Sequence, residues 1–153
     1  MVDATQRRLN YTRAIATFVP AYIVVTILGI ALSVVISIVK HTPETSEPMQ
    51  NEAYLFAERF YPGLNLVVWA IFAWVYFRGR RQSDSPQLRV EAFALGAFWL
   101  AVAVAVDYVG FVLIKNPISL TPHDFYIGQF PWIYLIYVAI FLAPLCWVKL
   151  AKV

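Results

Sequence analysis

Four apolar runs, each closed off by charge, leave this chain almost no soluble way to fold. Arg13 and Lys40 bracket the first, Arg59 and Arg78 the second, Glu91 and Lys115 the third, and Asp124 and Lys149 the fourth. A bilayer core about 30 Å thick is crossed by roughly 20 apolar residues at about 1.5 Å of rise each, and every run meets that length, the second narrowly. Of the 153 residues, 61% are apolar and 14% charged. Soluble domains are about 45–50% apolar, so the excess here must face lipid. The sequence predicts an all-α integral membrane four-helix bundle, one transmembrane domain over residues 1–153, with spans over 14–39, 62–77, 88–114 and 131–148.

A net charge of +3 would suit nucleic acid, but the distribution of the cations argues for a membrane. Arg7, Arg8, Arg13, Arg78, Arg80, Arg81, Arg89, Lys149 and Lys152 fall on the two tails and the middle loop; Lys40, Arg59 and Lys115 fall on the other side. That bias predicts an up-down-up-down topology with both termini cytoplasmic (N-in/C-in) in the cell membrane. The Arg78-Gly79-Arg80-Arg81 cluster reads as a topology anchor. Trp132 at the outer boundary, and Trp74 and Trp147 toward the inner one, fit interfacial aromatics. The first run is too long for the apolar region of a secretory signal and reads as a spanning anchor. Asn10-Tyr11-Thr12 matches a glycosylation pattern but lies on the predicted cytoplasmic side.

The connections carry their own signals. Residues 48–60 place Met49, Ala53, Phe56 and Phe60 on one helical face after Ser46-Glu47-Pro48, predicting a short amphipathic helix on the outer surface. The alternative is an extension of the second span, bent at Pro62-Gly63. Glu58 and Arg59 could flank the entrance of a pocket on this side, but read first as an ordinary solvated pair. The turn from Gln82 to Pro86 is short enough to predict that the second and third spans are antiparallel neighbours. Thr121-Pro122-His123-Asp124 reads as the capped start of an interfacial helix in the second outer loop.

Between Glu91 and Lys115 the one carboxylate is Asp107. An acid inside a membrane span costs about 2.5–3.5 kcal/mol on insertion scales, so something must compensate it. Ala92, Gly96, Ala103, Asp107 and Gly110 form one helical stripe, and small residues let neighbouring helices approach, so the stripe is predicted to face the bundle. On the first span Tyr22, Thr26, Gly29, Ser33 and Ser37 share a face. Asn65, Trp69, Phe72 and Tyr76 share one on the second, and Tyr134 and Tyr137 lie a turn apart on the fourth. These predict an outward-facing, polar, aromatic-lined pocket around Asp107. The candidate ligand-binding residues are Asp107, Asn65, Ser33, Ser37, Tyr134, Tyr137, Trp69 and His123, the last in the outer loop near the mouth.

Three function classes meet this pattern differently. Membrane aspartyl hydrolysis wants paired carboxylates, whereas one spanning acid is visible here, and no Ser/His/Asp set or zinc-protease motif accompanies it. A proton- or cation-coupled small-molecule transporter could use Asp107, but the acid lies off-centre toward the outside. The remaining class is a non-catalytic membrane protein that binds a ligand or partner subunit, and it asks least of the sequence. Expected partners are the lipid bilayer, a membrane-protein partner or second copy of the chain, and a small-molecule or cationic ligand; nucleic acid is not expected. Cys146 is the single cysteine and two histidines accompany it, so neither a cofactor nor a metal centre is expected.

Overall fold

The computed structural model describes residues 9–43, 49, 51–79, 86–115 and 119–150, and the regular structure among them is helical. Four helices are long and apolar enough to cross a membrane. The first, α1, runs Tyr11–Lys40. Asn10 starts it, its side-chain oxygen accepting from the Arg13 amide at 3.0 Å. That satisfies one of the N–H groups a helix start leaves over, so this asparagine is a cap.

The predicted surface helix is instead an extension of the second span. α2 (Glu52–Ala57), capped by Asn51 onto the Ala53 and Tyr54 amides, passes through a 3₁₀ turn at Glu58–Phe60 directly into α3 (Tyr61–Phe77). Pro62 accounts for the turn. It has no N–H to return to the Glu58 carbonyl, which accepts from the Tyr61 amide in the tighter i→i+3 pattern instead. The buried face rotates accordingly. Ala53, Ala57 and Glu58 are buried, whereas Phe60 is exposed and Phe56 carries the Lys40 ammonium 3.7 Å from its ring centroid. The expected start at Ser46-Glu47-Pro48 lies outside the described residues.

α4 (Pro86–Asp107) continues as a π-helical segment, Tyr108–Leu113, with the Ile114 amide reaching the Val109 carbonyl at 2.9 Å. The stripe of small residues is buried at Ala92, Gly96 and Ala103, along with Asp107, and loses its close contact at Gly110, where the π geometry begins to turn the face away. The Thr121 cap forms as expected: its hydroxyl accepts from the Asp124 amide at 3.1 Å and donates to the Asp124 carboxylate at 2.7 Å. A second π-helical turn, Asp124–Gly128, follows, and α5 runs Trp132–Leu150.

α3 and α4 touch through their side chains, but each packs most extensively on α5. Side-chain size explains the arrangement. At the α4–α5 crossing a Cβ on Gly96 would collide with the Phe141 carbonyl oxygen, so those two backbones touch. α3 and α4 meet through bulk, with Trp69 and Trp99 ring centroids 5.1 Å apart and both rings fully buried. α1 packs on α2 and α3, and only lightly on α4. It leaves Ile15, Val19, Ile23, Ile27, Val34 and Ile38 exposed, a surface suited to hydrocarbon.

Polar contacts tie the end of the bundle where α1 begins. The Arg13 guanidinium donates from Nη2 to the Val75 and Arg78 carbonyls, each at 2.8 Å, capping the carbonyls that the C-terminus of α3 leaves over. The Tyr76 hydroxyl accepts from the Asn10 amide at 3.1 Å and donates to Glu91 at 2.8 Å. Glu91 is buried rather than an exposed boundary charge. Hydrogen bonds from charged groups contribute about 1.5–3 kcal/mol, so Arg13→Met is expected to lower stability by about 2 kcal/mol. Equilibrium unfolding in mixed micelles checks it, and a change below about 0.5 kcal/mol would deny the capping role.

Candidate functional site

At the other end the helices diverge around a cavity of about 320 Å³. α1 supplies one wall with Tyr22, Thr26, Gly29 and Ser33, and α5 supplies the facing wall with Trp132, Ile133, Ile136 and Ile140. Asp107 reaches the cavity from the last residue of α4, with Phe111 beyond it on the π-helical segment. The lining is mostly hydrocarbon and aromatic with a few polar groups, so the predicted polar pocket is in fact apolar with localised hydrogen-bonding points.

Asp107 is buried and both of its oxygens are engaged. Oδ1 accepts from the Tyr22 hydroxyl of α1 and Oδ2 accepts from the Tyr137 hydroxyl of α5 at 2.9 Å. One carboxylate thus joins three helices through phenol donors. This is the compensation that an acid in hydrocarbon requires.

No protein-family model, curated protein or solved structure matches this chain.

The eight candidate residues divide. Asp107, Asn65, Ser33 and Trp69 line the cavity. Asn65 donates to the Tyr61 carbonyl at 2.9 Å and accepts from the Trp69 indole at 3.1 Å, fixing that ring against the wall. Ser33 pairs with the Tyr61 hydroxyl at 2.6 Å, linking α1 to α3. Tyr137 lies behind the lining, holding Asp107. Ser37, Tyr134 and His123 stand apart from the cavity. Ser37 pairs with Thr42 at 2.8 Å, Tyr134 faces outward beside Phe130, and His123 is exposed next to Asp124.

The lining residue left out of the eight candidates is Glu58, for which the sequence favoured a solvated pair over a place at the entrance. It is 4% exposed, lines the cavity, and its Oε1 is buried with no hydrogen-bond partner among the described residues. The solvated Glu58–Arg59 pair does not form: Arg59 is turned over the Phe56 ring, 5.7 Å from its centroid. Tyr54, Glu58, Tyr61, Asn65 and Trp69 follow one another at helical spacing, and all five line the cavity. That stripe is visible in the sequence once residues 52–77 are read as one helix. Across from it, Gln129 donates its side-chain amide to the Tyr54 hydroxyl, closing the rim between α2 and the segment before α5.

Proposed function

We propose that this chain is a small, non-catalytic multi-pass protein of the cell membrane that binds a small, largely apolar ligand in the cavity beside Asp107. Its helices run up-down-up-down with both termini cytoplasmic, so the cavity faces away from the cytoplasm. The observation that carries this reading is the cavity itself: about 320 Å³, at the lower end of the range of about 300–1,000 Å³ for small-molecule sites, with apolar walls and few polar points. Asp107 supports binding over catalysis. A general acid or base has to reach a substrate proton, and this carboxylate is held on both oxygens by Tyr22 and Tyr137. The charge bias of the tails and middle loop supports the orientation.

The test uses purified protein in lipid nanodiscs, titrated with propylbenzene and with phenethylammonium while tryptophan fluorescence and melting temperature are followed. Trp69 and Trp132 line the cavity and report its occupancy. Binding of at least one probe is expected, together with a rise in melting temperature. Ile136→Trp, which fills the cavity from α5, is expected to fold and to abolish both responses. If neither probe binds folded protein, or Ile136→Trp leaves binding intact, the reading fails. Reporter fusions at the two ends test the orientation, and an external signal from either would overturn it.

A further inference from the structure

Two acids, Asp107 and Glu58, reach the cavity, and they are in opposite conditions. Asp107 has a hydroxyl donor on each oxygen. Glu58 has a buried Oε1 that no donor among the described residues reaches. The cations nearest to Glu58 in the chain's layout do not serve it, since Lys40 and Arg59 both lie over the ring of Phe56. A buried carboxyl oxygen without a donor costs free energy until a partner supplies one. The missing counterpart is a cation, and the cavity is where it would come from.

We infer that the cavity selects a primary organic ammonium with an apolar or aromatic body, and that Glu58 rather than Asp107 takes its charge. This rests on the ligand-binding reading above and specifies the ligand class of that site. The surroundings fit such a molecule. Tyr54 and Tyr61 flank Glu58 on the same helical face, with ring centroids 6.2 Å apart in an edge-on arrangement. An ammonium donating to the Glu58 carboxyl group would sit beside those rings, which attract cations through their faces. The apolar body would extend along the hydrocarbon of Ile133, Ile136 and Ile140 toward Trp69. Asp107 is poorly suited to the same task, because a cation approaching it competes with two phenol donors already in place.

Phenethylammonium and propylbenzene differ by an ammonium in place of a methyl group and so isolate the charge. Wild-type protein in nanodiscs is expected to bind the ammonium at least about tenfold more tightly, the equivalent of one charge-assisted hydrogen bond. Glu58→Gln is expected to remove that preference, so that the two probes bind with about equal affinity. Asp107→Asn is expected to keep the preference. Equal affinity of the two probes for the wild type would overturn the inference while leaving an apolar binding site intact. So would a preference that survives in Glu58→Gln or disappears in Asp107→Asn. The wild-type comparison decides whether the cavity prefers the cation, and either variant that folds decides which acid carries the preference. Absence of binding by either probe would instead remove the ligand-binding reading beneath it.

Discussion

Gly96→Ala is expected to prevent stable assembly of the bundle. A single added methyl group would strike the Phe141 carbonyl oxygen, which belongs to the backbone of α5 and has no rotamer with which to move aside. Overpacking a core commonly costs about 1–3 kcal/mol, and more when the obstructing atom is main chain, so a loss of about 3 kcal/mol or greater is expected. α4 and α5 would have to separate, and α5 is also the principal packing partner of α3. Gly63→Ala provides the control. Gly63 lies in α3, and a Cβ there meets nothing within 4 Å. That substitution is expected to be neutral or stabilising by up to about 1 kcal/mol. Unfolding of the two variants in mixed micelles separates them, and a Gly96→Ala protein as stable as the control would refute the close crossing.

The second large effect concerns the acid that the sequence singled out. Asp107→Ala removes the acceptor from the Tyr22 and Tyr137 hydroxyls at once. Each orphaned buried hydroxyl costs about 1–3 kcal/mol, so a loss of about 3 kcal/mol is expected in total. Asp107→Asn keeps an oxygen for one phenol and offers an amide to the other, and is expected to lose less than half as much. The decisive measurement is a cycle. When Tyr22 and Tyr137 are first changed to phenylalanine, Asp107→Ala should cost much less than in the wild type, because no donors remain to be stranded. Strict additivity would mean that the three residues do not act together.

The spans were legible because apolar length and flanking charge are strong local signals. The runs over 14–39, 62–77, 88–114 and 131–148 appear as helical segments at 11–40, 61–77, 86–113 and 132–150. The inward direction of Asp107 was legible too, since Gly96 and Ala103 lie on its stripe. What escaped was anything that depends on which helices meet. The short link after Phe77 suggested that α3 and α4 pack directly, but the bulk of Trp69 and Trp99 and the absence of a side chain at Gly96 favour α5 as the close partner of each. Glu58 escaped for a different reason. Its charge and its neighbour Arg59 pointed to water, and only the uninterrupted passage from α2 into α3 turns it inward. His123 stands apart from the cavity, because proximity in sequence to a capped turn says nothing about which way an exposed ring faces.

The central position of α5 has a consequence for how the molecule is made. α5 emerges from the ribosome after its three companions, yet it carries the Phe141 carbonyl against which Gly96 closes and the Tyr137 hydroxyl that receives Asp107. Until α5 is in place, Asp107 lacks one of its two phenol donors and the groove at Gly96 stays open. Closure of these contacts therefore has to wait for α5, and a chain released after Leu120 is expected to be degraded faster than the full sequence in a pulse-chase experiment.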